Sequence, residues 1–304
     1  MSIGYLDILD ELLSAGCSSL SRPFRDCQAR YVAARQQPDG GFPGRQGGSD
    51  LYYTDFALRI LAQLASDADA ARRAGQYIAQ HAPHNLIACF NLLHAARLLR
   101  QCGIAVPLDA AAMRSCLARH RLPGGGFMRQ RQNVSAYATF LAALCYEMLD
   151  EALPDAARAV AAIAQLRCAD GGYGEAPGGS GQTNATAAAL ALLIMQNARD
   201  DREEAVQFLV RMQSEDGGIG AHPRAQASDL LSTFTGCLTL YSVNALDRLD
   251  LPRLARFLRR LAHPEGGFHA GLLDTETDIE YTYYGIGTLA LLRAYVTEQE
   301  RICG

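Results

Sequence analysis

The chain has 304 residues, 49% of them hydrophobic, and a formal net charge of −4, so it has enough apolar matter for a large core. No basic run or stripe is present, which excludes nucleic acid as the expected partner. No apolar run approaches the ~20 residues of a membrane span, and neither the start Met1-Ser2-Ile3-Gly4-Tyr5-Leu6-Asp7 nor the end Arg301-Ile302-Cys303-Gly304 carries a signal-peptide or prenylation pattern, so a cytoplasmic protein is expected.

Helical periodicity begins in the first segment, residues 1–19, where 3–16 form a lead-in helix. A helix over about 20–36 stops at Pro38-Asp39-Gly40-Gly41, where Pro and Gly end it. Helices over about 50–66 and 68–81 follow, the second rich in Ala and Arg. His84-Asn85-Leu86-Ile87-Ala88-Cys89-Phe90 opens the next helix, and Pro107-Leu108-Asp109 marks another start, since Pro suits a first helical turn. Three helix pairs come next, about 132–150 with 153–168, 181–199 with 200–214, and 228–246 with 250–262. A last helix covers about 277–297, and 298–304 is a polar tail. Strand signals are poor, because apolar residues recur at helical rather than alternating spacing.

A Gly-Gly turn followed by a hydrophobe punctuates this order. Its last Gly falls at 41, 126, 172, 218 and 267, with spacings of 85, 46, 46 and 49. The first spacing holds a unit that has lost its glycines, so there are six units, and such a period signals a repeat architecture in one domain. The helices after the turns are the more apolar set, as in Ala185–Ile194, and form an inner ring. Their companions carry charge, as in Asp200-Asp201-Arg202-Glu203-Glu204, and face water. Pairing the helix at 20–36 with that at 277–297 closes the ring. The nine cysteines include no Cys-x-x-Cys pair, and most lie in apolar helical stretches. They are expected to be reduced core residues rather than a disulfide framework.

The segment Gly266-Gly267-Phe268 through Asp278-Ile279-Glu280-Tyr281-Thr282-Tyr283-Tyr284-Gly285 resembles the repeats of protein prenyltransferase β subunits. Gln36–Phe42 and Gln213–Ile219 are similar to the repeat of class II terpene cyclases, with its Trp replaced. The resemblance covers about residues 20–297 and implies an all-α fold, an α6–α6 toroid (α/α barrel) of six helix pairs joined by Gly-Gly loops. It implies a hydrophobic isoprenoid or its diphosphate as ligand, magnesium accompanying a diphosphate, and a helical protein partner if the chain behaves as a β subunit.

The chemistry of the two families transfers unevenly. The prenyltransferase zinc site takes an Asp-x-Cys pair and a His. The corresponding places here read Asp229, Leu231 and Tyr281, so two of three donors are missing and no metal is assigned. Of the diphosphate cations, the His place is Gln182, and Arg224 is the one shifted substitute. Class II cyclases protonate an alkene with a carboxylic acid. Aligned on Thr282, Glu280 falls at the acid's place and Tyr281 at its partner's, with Asp274, Glu276 and Asp278 adding carboxyls. Asp278 and Asp229 also sit where a residue caps a helix, as Asp50 does in another unit, so each has a structural reading beside the catalytic one. The catalytic candidates are Asp274, Asp278, Glu280, Tyr281 and Asp229. Tyr53, Phe90, Tyr137, Phe234, Tyr284 and Arg224 are the substrate-binding candidates; the rings of this set suit an isoprenoid chain and a carbocation, or pack inner helix on outer. Two function classes follow: a zinc-independent isoprenoid-handling enzyme, prenyltransferase-like or acid-initiated cyclase-like, and a non-catalytic binding or scaffold ring of the same descent.

Overall fold

One local circuit builds five of the six units. The residue after each Gly-Gly turn (Phe42, Phe127, Tyr173, Ile219, Phe268) donates its backbone N–H to a threonine hydroxyl on the next helix at 2.9–3.1 Å. These threonines are Thr54, Thr139, Thr186, Thr233 and Thr282, and each donates in turn to the carbonyl four residues earlier. The hydroxyl therefore ties turn to helix, and the hydrophobe beside it is driven in to 0–1% exposure. The glycines are required by geometry. Gly217 has φ +98°, and a Cβ there would stand 2.4 Å from the Arg253 carbonyl of the companion helix. In the unit that opens at Asn85, Cys89 stands at the threonine position, and the residues before it, His81-Ala82-Pro83-His84, hold no glycine.

The computed structural model describes residues 4–64, 67–129, 133–198 and 202–303. Its helices are α1 (Tyr5–Ser18), α2 (Arg22–Ala33), α3 (Leu51–Leu64), α4 (Ala68–Ile78), α5 (Leu86–Gln101), α6 (Ala110–His120), α7 (Ala136–Met148), α8 (Ala156–Ala164), α9 (Thr183–Met195), α10 (Glu203–Arg211), α11 (Leu230–Ser242), α12 (Leu251–Leu261) and α13 (Ile279–Cys303). Two pairs of two-residue strands join loops that were expected to carry no strand: β1 (Phe42–Pro43) with β2 (Ser49–Asp50), and β3 (Phe268–His269) with β4 (Thr277–Asp278). The fold class is all-α. Helix order is as the periodicity predicts, with ends drawn in by a few residues where caps take over. Asn85 accepts from Ala88 N, Ser135 from Ala138 N and Asp229 from Ser232 N. One end differs: α13 runs on through the expected polar tail to Cys303, its last turns solvated rather than uncoiled. Residues 1–3 of the lead-in segment, the expected α7 start near 132, and Asp200-Asp201 of the charged companion lie outside the described residues.

The chain divides into two compact units, Met1–Met113 with Leu258–Gly304, and Arg114–Phe257. In the first, α3 packs against α5 and α13, α2 and α4 lie on α3, and α1 packs along α13 and touches α3. Gly16 of α1 lies so close to α13 that a Cβ would meet the Ala290 carbonyl. In the second, α9 packs between α7 and α11 and also carries α8 and α10. In both, the helices that follow the Gly-Gly turns pack on one another. Companions such as α10 bury only one stripe (Ala205, Val206, Phe208, Leu209), while α9 is buried nearly all round. Cys17, Cys89, Cys116, Cys145, Cys168 and Cys237 are buried thiols.

Candidate functional site

The first unit gathers most of the predicted residues at the N-terminal ends of α3 and α13. Arg45, on the β1–β2 loop, holds two of them. Its Nε donates to Asp278 at 2.6 Å, and its Nη1 and Nη2 donate to the two oxygens of Asp274 at 3.0 and 2.5 Å. Burial works to raise the Asp274 pKa. The Arg45 bonds and the N–H groups of Ala270 and Glu276 overcome it and hold the carboxyl at about 2. Asp278, 4% exposed, places one oxygen on Arg45 and the other on Tyr281 N, capping α13. Both aspartates are thus parts of a clamp. Tyr281 lies under the Arg45 guanidinium, 5.5 Å from its ring centroid. Tyr53, whose pKa burial raises, stands beside the same loop, with its ring against Gly44.

Glu280 is placed differently. Its Oε1 accepts the hydroxyls of Tyr52 at 2.6 Å and Tyr284 at 3.2 Å. Burial raises its pKa, the two hydroxyls pull it down, and the Asp278 charge pushes it up, with a net rise. Both donors reach one oxygen.

Below Glu280 the side chains are rings. Phe56 lies 4.9 Å from Tyr52, 5.3 Å from Tyr283 and 5.4 Å from Tyr284, between centroids. Tyr281 and Tyr284 are 6.1 Å apart. These rings join the post-loop helices α3 and α13 to each other.

One polar cluster lies deeper and was not among the predicted residues. Asp55 is fully buried. Its Oδ1 meets His94 Nδ1 of α5 at 2.7 Å, and its Oδ2 takes Nε of Arg59 at 3.1 Å and also Nη2. The Arg59 guanidinium lies over Phe56, Phe90 and Tyr283 at 4.5, 5.4 and 5.3 Å. The predicted Phe90 stacks on His94, with centroids 5.3 Å apart. Burial works to raise the Asp55 pKa, but the charges of Arg59 and His94 bring it below its ordinary value. Burial lowers the His94 pKa, against the pull of Asp55. The signal available in sequence was Asp55 and Arg59 four apart, and a histidine, inside helices that are mostly apolar.

The remaining candidates belong to the second unit. Asp229 caps α11 through Ser232 N, and burial raises its pKa. Arg224 is exposed, its N–H donating to His222 Nδ1. Phe234 is buried, and Tyr137 is half-buried under Arg129 at 5.8 Å. These four lie in the unit that does not hold Glu280. The donor set does not fit zinc: Leu231 offers no ligand atom, and an oxygen of Asp229 is engaged in the cap. Among the described residues, no three His, Cys, Asp or Glu side chains are grouped to hold a metal ion.

The sequence matches the prenyltransferase alpha-alpha toroid domain over residues 3–200 and 187–303. The chain belongs to that family. Protein geranylgeranyltransferase-I of Candida albicans, solved with GGPP, is similar in structure, with a TM-score of 0.71, 15% identity, and 90% of this chain and 92% of that chain covered. A variant of the type II terpene cyclase MstE from Scytonema, bound to merosterolic acid A as product, has a TM-score of 0.61 at 15% identity, covering 95% and 99%. Another variant, bound to geranylgeranyl dihydroxybenzoate as substrate, has a TM-score of 0.62 at 14% identity with the same coverage. No curated protein matches the sequence. At these identities the likeness establishes the toroid fold. No helix among the described residues is long and apolar enough to cross a membrane.

Proposed function

We propose that the chain is a zinc-independent enzyme acting on a hydrophobic isoprenoid, and that it starts its reaction by proton transfer from Glu280. The observation that carries this reading is the division of labour at the rim. Arg45 clamps Asp274 and Asp278, while Glu280 is half-buried, has a raised pKa and is set against a bed of rings. A carboxylic acid whose pKa is lifted by burial holds its proton to higher pH than an exposed one and can act as a general acid. Delivering it to an alkene generates a carbocation, which the faces of Phe56, Tyr283 and Tyr284 stabilise. Prenyl transfer has less support, because a diphosphate needs unengaged cations: Arg45 is held by two carboxylates and Arg224 lies exposed on a loop. The structural relatives solved with geranylgeranyl ligands support an isoprenoid as the substrate class. In this reading the whole chain is one domain, it works in the cytoplasm, and magnesium enters only with a diphosphate substrate. Tyr53, Phe90 and Tyr284, which share a unit with Glu280, contact the chain of the ligand.

Leu231 and Tyr281, standing in the zinc-ligand places, favour a second reading, a non-catalytic ring that binds an isoprenoid or a helical partner. One experiment separates the two. Native mass spectra with farnesyl and geranylgeranyl diphosphate, with and without magnesium, are followed by product analysis for the wild type and Glu280→Gln. The expected result is a one-to-one adduct for both chains and an isomerised product from the wild type alone. Adducts without conversion by either chain establish the scaffold, and full activity in Glu280→Gln removes the acid mechanism.

A further inference from the structure

We infer that the cavity between α3, α4 and α5 is a second binding site, one that takes an uncharged aliphatic alcohol of about fifteen carbons. Binding there needs no reaction at Glu280, so it stands or falls apart from the acid-initiated reading.

The cavity measures about 370 Å³ and lies wholly within the first unit. Leu58 and Leu61 of α3 and Leu98 and Leu99 of α5 form its buried walls. Asp67, Gln101 and Cys102 also line it and are exposed, so it opens to solvent on their side. It sits at the far end of α3 from the rim. Tyr52, which holds Glu280, precedes Leu61 by about 14 Å along the helix.

Ordinary packing does not call for this space. Protein interiors leave few voids larger than a water molecule, and the repeat offers larger side chains at the same places. The turn glycines fix the register of the companion helices, since Gly40, Gly125 and Gly217 face the carbonyls of Arg73, Arg158 and Arg253. Five residues before Arg73 stands Ala68, where the segment leading into α8 carries the buried Leu153 before Arg158. Two residues before Arg73 stands Ala71, where α12 carries Leu251 before Arg253. Both alanines line the cavity. The first unit therefore lacks side-chain volume at two points of one space.

Size and charge choose the occupant. A cavity of about 150 Å³ admits benzene; at about 25 Å³ per carbon on that scale, 370 Å³ holds about fifteen carbons. Among the described residues the lining has no ring and no cation, and its one charged group is the Asp67 carboxylate. A diphosphate or a fatty carboxylate would bring its charge to a place that offers only repulsion. A cationic head is not favoured either. One oxygen of Asp67 already accepts the N–H groups of Asp69 and Ala70 at 3.0 Å, and the N-terminus of α4 behind it is the positive end of that helix. The second Asp67 oxygen and the Gln101 amide make no hydrogen bond among the described residues. An acceptor and an amide beside an aliphatic pocket suit a hydroxyl, which donates to one and accepts from the other.

Cys102 supplies the reporter. The full chain is treated with a maleimide, and the rates at Cys102 and at the half-buried Cys27 are read separately by peptide mass spectrometry. Farnesol is expected to slow Cys102 saturably, about tenfold where the free alcohol is ten times its dissociation constant, and to leave Cys27 unchanged. Pentadecan-1-ol, with the same carbon count in a linear chain, separates the two sources of such an alcohol: whichever protects at the lower concentration identifies the natural class. Protection by neither alcohol overturns the site. Equal protection by farnesyl diphosphate, or tighter protection by farnesylamine, overturns the neutral head. Ala68→Leu and Ala71→Leu place in the cavity the residues that other units carry there, and both are expected to abolish protection with a urea midpoint unchanged or raised. Either folded variant tests this, and retained protection in it places the alcohol elsewhere and overturns the proposal.

Discussion

Replacing Arg45 by Gln removes the cation that holds Asp274 and Asp278 while keeping most of the side chain. Asp274 is held at about 2 against an ordinary 3.8. Nearly two pKa units correspond to about 2.5 kcal/mol, which water at the rim of the loop screens to about 1–2 kcal/mol. Asp278 is 4% exposed and loses the cation on one of its oxygens, which costs about 1–3 kcal/mol more. The variant is therefore expected to be destabilised by about 3 kcal/mol at pH 7. The sign of the pH dependence follows from the direction of the shift. A carboxyl depressed in the folded state contributes stability above its unfolded pKa and loses it as pH falls through the folded one. The Asp274 part of the gap between wild type and variant should be full at pH 7, begin to narrow near the ordinary 3.8 and be largely closed at about 2. Urea midpoints measured across that range test this. A gap below about 0.5 kcal/mol at pH 7, or one that does not change with pH, would refute the assignment of the clamp.

Three further outcomes are expected. Glu280 has a raised pKa, so its stabilising contribution is present below the ordinary 4.5 and is lost as pH rises through the folded value; Glu280→Gln should melt higher relative to wild type at pH 7.5 than at pH 4, and an equal difference at both would contradict the shift. Thr233→Val strands the Ile219 N–H and should cost about 1–3 kcal/mol in urea unfolding, whereas a neutral result would show that the turn does not need its threonine. Gly217→Ala meets both a positive φ and the Arg253 carbonyl and should cost about 2–3 kcal/mol, against a near-zero cost if the turn can relax.

The ring of helix pairs was legible because its grammar is local. A Gly-Gly turn, a cap and an apolar helix repeat at a fixed period, and each element has a physical reason visible in a few residues. The threonine circuit could have been read as well, since Thr54, Thr139, Thr186, Thr233 and Thr282 each lie four residues after a cap. Glu280 was legible by its place after the last turn, but its difference from Asp274 and Asp278 was not. That difference depends on Arg45, more than two hundred residues away along the chain, which sequence spacing cannot bring near. His94 was illegible for a related reason. A histidine in an apolar helix reads as core until the carboxylate beside it is seen, and Asp55 comes from another helix.

The repeat itself separates structural carboxylates from chemical ones. At the cap position the units carry Asp50, Asn85, Ser135, Gln182, Asp229 and Asp278. Asn85 and Ser135 accept a backbone N–H there as Asp229 does, so the position asks for an acceptor and not for an acid. Two residues on, the units carry Tyr52, Ile87, Tyr137, Asn184, Leu231 and Glu280. The chemistry of these side chains differs from unit to unit. Tyr52 and Glu280 hydrogen-bond each other across α3 and α13, and Asn184 meets Thr235 across α9 and α11. The same frame therefore carries different side chains at this position, and the one acid placed there, half-buried and with two hydroxyls on a single oxygen, is the feature on which the proposed proton transfer rests.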